Sequence, residues 1–217
     1  MKQKQIKGTV HRTAIEAEAP VYYECPACGF LSADPRFGAG EIDCPVCAAP
    51  PDARRTFPPE RLRRLDSRIR AYEADGDSEI VVILAAAFLE TLLEDILDRI
   101  METRGADVAI RSAVLDTQRA VGQRISRLYP MLTGEQFEDT AEELGFREFP
   151  RRWRAMRAMR NSFIHDTPYG GAQERIDAET ATEAMILLDQ AYKLFVLINN
   201  RFVADPGRRE RIAALCR

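Results

Sequence analysis

Apolar positions along this chain follow two different rhythms. Near the start they form short strand-like runs, VYYEC (21–25) and GEIDC (40–44). After the segment APPDARRTFPPE (49–60), whose four prolines read as a linker, they recur three and four residues apart, the spacing of a helix face. The clearest case runs from Ser78, placed to cap it, to about Thr103. There Val81, Ala85, Phe88, Leu89, Leu92, Leu93, Ile96 and Ile100 cover one broad face. Breakers divide the remainder. Pro58 and Pro59 open a first helix through about Tyr72, and DGDSE interrupts it. A third helix is expected from about Asp107 to Leu128, stopping before Pro130. TGEQFEDTAEELG reads as a shorter one, with Thr133 and Gln136 spaced as a capping box and Gly145 ending it. Another spans about 148–165. In the turn TPYGG, Pro168 keeps Thr167 out of the α region. A last helix, with Thr180 and Glu183 as capping box, reaches about Val203. The pattern predicts a mainly α fold. An antiparallel helical bundle (58–217) follows a small β unit with its tail and linker (1–57).

Four cysteines give the β unit its chemistry. CPAC (25–28) and CPVC (44–47) are fifteen residues apart, a spacing that fits a four-cysteine zinc site. Each C-x-x-C makes a tight turn aiming two sulfurs at one point, and zinc accepts four thiolates in a tetrahedron. Cys25, Cys28, Cys44 and Cys47 are therefore the expected ligands of a structural Zn²⁺ in a zinc ribbon. Gly29 can take the positive φ that such a knuckle wants, whereas Ala48 stands at the matching place in the second. A unit this small buries little, so its metal supplies the folding energy.

Composition narrows the setting. The chain has 217 residues, 46% apolar and 30% charged, which suffices for a core, and its net charge of −3 makes no global case for nucleic acid. Lysine occurs only at 2, 4, 7 and 193; the remaining 27 cations are arginine. Arginine suits bidentate phosphate contacts, and an arginine-rich genome gives the same bias. The basic start MKQKQIKGTVHRTAIE lacks the apolar segment of a secretory signal, and the longest apolar run, Ile80–Leu89, is too short to span a membrane. A cytoplasmic protein with reduced thiols is expected, which argues against disulfides. Cys216 then reads as a free thiol, and His11 lies in a polar tail.

The helix at 148–165 carries the most informative stretch, MRNSFIHD (159–166). At about 100° per residue, Phe149, Trp153, Met156, Phe163 and Ile164 form its apolar face. Arg151, Arg154, Ala158, Asn161 and His165 form a polar stripe, with Arg157 at its edge. Arg160 falls in the middle of the apolar face. A buried guanidinium is costly unless paired. Either it meets Glu90 or Glu94 of the long helix, or this face opens on a cleft or a second subunit. His165 caps the helix end or serves catalysis. Positions five apart lie about 140° apart, so Arg160 and His165 converge only if the last turn unwinds or another copy completes the pair. Trp153 reads as core.

The Arg-Asn-x-x-x-His string RNSFIH, with the long helix IVVILAAAFLETLLEDIL, resembles the HEPN superfamily over about residues 60–203; Glu90 stands where that family's early core helix commonly carries a Glu. The resemblance implies a homodimer with two Arg–His motifs facing one cleft. It also implies a metal-independent endoribonuclease, often a toxin or defence effector with an antitoxin or other defence partner, or else an inactive RNA binder or scaffold. Arg160, Asn161 and His165 would be its catalytic residues. Arg151, Arg154 and Arg157 would line the approach of the RNA backbone, or simply form a solvated face.

Overall fold

The computed structural model describes residues 20–50, 52, 54–165 and 176–204. The tail with His11, the turn holding Thr167 and Pro168, and the stretch with Cys216 lie outside the described residues. So does the question of whether 205–217 adds a helix.

Three short strands, β1 (Tyr22–Glu24), β2 (Leu31–Ser32) and β3 (Arg55–Phe57), form an antiparallel sheet in the order β2-β1-β3. GEIDC forms no strand. The third strand comes instead from the proline-rich segment, where Tyr22 pairs with Phe57 and Tyr23 with Thr56. Phe57 explains this choice, since pairing there buries its ring completely in the core shared with the helices. A one-turn helix, α1 (Pro35–Gly38), places Phe37 beneath the cysteines.

The helices follow. α2 (Glu60–Asp75) runs a turn beyond the expected end and stops at Gly76, whose φ of 82° only glycine adopts easily. α3 (Ser78–Thr103) has the expected bounds, but Asp77 occupies the cap position and Ser78 is already helical. It is the central element, packing against α2 and against four later helices: α4 (Val108–Thr117), α6 (Tyr129–Thr133), α8 (Phe149–Ile164) and α9 (Ala178–Phe202). Every residue of its expected apolar stripe is fully buried.

The expected third helix is broken. α4, capped by Asp107, ends at Thr117, and the chain resumes as α5 (Val121–Gln123), a π-helical turn (Arg124–Leu128) and α6 (Tyr129–Thr133). Arg124 explains the break. Its guanidinium takes the carbonyls of Gln118 (2.8 Å) and Leu115 (3.4 Å) and pairs with Glu94 (2.7 Å), satisfying groups a continuous helix would pair itself. Pro130 does not stop the helix; the wider π turn before it accommodates the missing N–H.

Capping also differs from the sequence pattern. Thr133 closes α6, donating to the Tyr129 carbonyl (2.9 Å), and does not cap α7 (Phe137–Glu143). Gly145 does follow α7, at φ 86°. Asp177, rather than Thr180, caps α9, accepting from the Thr180 N–H (2.9 Å). Phe137, Phe149, Trp153 and Phe195 interlock edge to face and stacked, joining α7, α8 and α9.

Candidate functional site

The cysteine site is built by two similar knuckles. In the first, Cys25 N–H donates to the Phe30 carbonyl and Gly29 N–H to the Cys25 carbonyl, both at 2.8 Å, with Gly29 at φ 80°. In the second, Cys44 N–H donates to the Ala49 carbonyl (3.0 Å) and Ala48 N–H to the Cys44 carbonyl (2.8 Å). Ala48 adopts φ 51°, so the knuckle imposes the left-handed conformation even without glycine. All four sulfurs lie within 4.8 Å of one another. Cys25 and Cys47 Sγ are 3.8 Å apart and Cys28 and Cys44 Sγ 3.6 Å apart. A disulfide needs about 2.05 Å. A tetrahedron of sulfurs about 2.3 Å from a central ion has edges of about 3.8 Å. Burial pushes the Cys28 and Cys47 thiols up, and a cation at their centre is what makes thiolates of them. The donor set fits a metal ion.

The surroundings hold this site to the helices through residues that sequence reasoning missed. Asn199 of α9, fully buried, donates its amide to the Gly29 carbonyl (2.8 Å). Its neighbour Asn200 accepts from Leu31 N–H and donates to the Leu31 carbonyl, both at 2.8 Å. Arg99 of α3 reaches Glu24 (3.0 Å), next to Cys25, and lies over the Phe57 ring. Arg54 donates to Cys25 Sγ (3.6 Å) and covers Phe37. Two adjacent asparagines late in an apolar helix, one at the spacing of Tyr192 and Phe195, were the available signal.

The second candidate is the end of α8. Arg160 hydrogen-bonds Glu90 of α3, one of the two acids expected for it, and Arg157 approaches the same carboxylate at 3.5 Å. Glu94 is taken by Arg124. Both Arg157 and Arg160 are about four-fifths covered, with side-chain exposures of 21% and 20%. Arg157 therefore turns inward from the stripe. Burial pushes its guanidinium below the usual range; the charge of Glu90 works against this, and those of Arg160 and Arg154 work with it. Arg151 is exposed and paired with Glu148 (2.7 Å), and Arg154 is exposed and paired with Glu138 (3.0 Å).

Asn161 and His165 are exposed, and His165 N–H closes the helix on the Asn161 carbonyl (3.0 Å). The last turn does not unwind, since α8 stays helical through Ile164; that keeps Arg160 and His165 about 140° apart around the axis. Trp153 is core, as expected, along with Phe149 and Met156. Phe163 and Ile164 depart from the expected apolar face, being 42% and 47% exposed, because α8 outruns the core that covers its first half.

Set against known proteins, the chain matches no family model, no curated protein and no solved structure. The reading of both sites thus rests on residues and geometry. Among the described residues, no helix is long and apolar enough to cross a membrane.

Proposed function

We propose that the protein is a cytoplasmic, metal-independent endoribonuclease of HEPN type that works as a homodimer, its cysteine unit a ribbon organised by structural zinc. The observation that carries this is the Glu90–Arg160 pair. It links the long helix to α8 at the two positions the HEPN resemblance singles out, beside exposed Asn161 and His165. Exposed Phe163 and Ile164 on the same helix end favour a second copy there.

In this reading His165 takes the proton of a ribose 2′-OH or returns one to the leaving 5′-oxygen. Arg160 holds the scissile phosphate and stabilises its added charge, and Asn161 orients the imidazole or the phosphate. The 2′-oxygen attacks, so the product ends in a 2′,3′-cyclic phosphate and DNA is not cut. Arg151, Arg154 and Arg157 lend salt-sensitive affinity for the strand. Four cysteines fill the zinc sphere and leave no position for a reacting water.

The test incubates purified protein with structured and unstructured RNA in EDTA, while circular dichroism checks that the helices persist. Cleavage lost in His165→Ala is expected. Cleavage that survives this change, or that needs Mg²⁺, ends the proposal.

A second reading is a non-catalytic adaptor that binds RNA or protein and dimerises. The acid partner held by each of Arg151, Arg154 and Arg157 favours it. A pull-down whose partner set is unchanged by Cys25→Ser and Cys44→Ser counts against it.

A further inference from the structure

One face of α8 carries three buried hydrogen-bond donors that no acceptor among the described residues meets. Trp153, Arg157 and Arg160 are spaced i, i+4 and i+7, so they share that face. Trp153 Nε1, Arg157 Nε and Arg160 Nε are all buried without a hydrogen-bond partner. Arg157 Nε has only the 3.5 Å ion-pair contact with Glu90. Buried donors left in this way are rare and ask for a reason.

Trp153 and Arg157 also line a cleft of about 220 Å³. Arg154, Ser126 of the π-helical turn and Glu138 of α7 line it as well. π-helical turns recur at functional sites. The charges do not balance. Glu138 is engaged by Arg154, and Glu90 is shared by Arg157 and Arg160, so three guanidiniums face two carboxylates. The cations also act on one another: Arg160 and Arg154 both disfavour the charged form of Arg157. Of the three, Arg154 and Arg157 line the cleft, and an anion seated between those two relieves the repulsion between them.

We propose that this cleft is a phosphate-binding site, with Arg157 and Arg154 as the charged contacts and the Ser126 hydroxyl as a further donor. A phosphate suits it better than a carboxylate. It brings two free acceptor oxygens and one charge as a diester, or three and up to two as a monoester, which matches several donors around one surplus cation. Two sources share this chemistry, the phosphate of a free nucleotide and a backbone phosphate of an RNA strand. The inference does not require cleavage by His165.

The chain's single tryptophan is Trp153 itself, so its fluorescence reports on the cleft. Full-length protein is titrated with inorganic phosphate, with AMP, and with a 2′-O-methyl RNA decamer that 2′-oxygen attack cannot cut. A saturable change with at least one probe is expected. Its dissociation constant should rise at least tenfold in Arg157→Gln and in Ser126→Glu, and stay unchanged in Arg64→Gln on α2. Saturation by phosphate or AMP identifies a free phosphorylated ligand; saturation by the decamer alone identifies the strand. Ser126 is exposed, so Ser126→Glu decides the matter if Arg157→Gln does not fold. No saturable response from any probe overturns the proposal, as does wild-type binding by Ser126→Glu. Phosphate, AMP and the uncuttable decamer read binding alone, which separates this site from the fate of the ribonuclease reading.

Discussion

Asn200 of α9 grips both the N–H and the C=O of Leu31 with one side-chain amide, each bond 2.8 Å long. The amide thus does for β2 what a neighbouring strand would do. With Asn199 holding the Gly29 carbonyl, it fastens the first cysteine knuckle to the helices. Asn200→Ala strips both peptide groups of their partners. It should lower unfolding stability by about 1–3 kcal/mol, the usual cost of leaving half-buried polar groups unmet. Urea unfolding followed by far-ultraviolet circular dichroism measures this, and a change within error refutes the role.

Metal removal should be felt beyond the cysteines. A knuckle that unravels withdraws Gly29 and Leu31 from Asn199 and Asn200, and Glu24 from Arg99. Elemental analysis should find one zinc per chain. A chelator strong enough to extract it should lower the melting temperature of the helical signal, and Cys28→Ser should reproduce the effect. An unchanged helical melt after complete extraction would show the two parts to be independent.

Glu90 serves two guanidiniums at once. Glu90→Gln leaves Arg157 and Arg160 as adjacent, mostly covered cations. A loss of about 2–4 kcal/mol is expected, somewhat below the cost of breaking a fully buried pair. In an Arg157→Gln background the same change should cost at least about 1 kcal/mol less, since one of the two cations is gone. Strict additivity in this double-mutant cycle is the contrary result.

Asp66 on α2 is fully buried, with Arg70 at 3.2 Å. Burial dominates and pushes its carboxyl above the ordinary value of 3.8, against the pull of Arg70. A group raised in the folded state contributes stability below its unfolded pKa and loses it as pH rises through the folded one. Asp66→Asn should therefore gain on the wild type as pH rises from about 4 toward neutrality. Denaturant titrations at several pH values test the slope; a difference that shrinks or stays flat over that range contradicts the assignment. Glu183, lowered by Arg152, has the opposite sign and weakens the fold as pH falls.

Local patterns were the legible part of this chain. C-x-x-C turns are specified by their own few residues, so the sulfur cluster was readable. So were the bounds of α3 and the misfit of Arg160, because helical periodicity exposes a charge on an apolar face. What escaped depended on distant partners. β3 hides in a proline-rich stretch and pairs with residues more than thirty positions earlier. Asn199 and Asn200 look like ordinary helix positions until their partners, roughly 170 residues away, are seen. Phe163 and Ile164 show that periodicity tells which way a side chain points, and not how far the covering core extends.

α3 also imposes a condition on length. Glu90, holding α8, and Arg99, holding the sheet, are nine residues apart. On a regular helix that places them about 13.5 Å apart along the axis and on opposite sides. Adding or deleting one residue between them would turn one about 100° relative to the other, so no such change can preserve both attachments. A seven-residue insertion, near two full turns, would restore the facing but not the separation. Sequences sharing this architecture should vary in the loops around α3 while keeping the count from Glu90 to Arg99 constant.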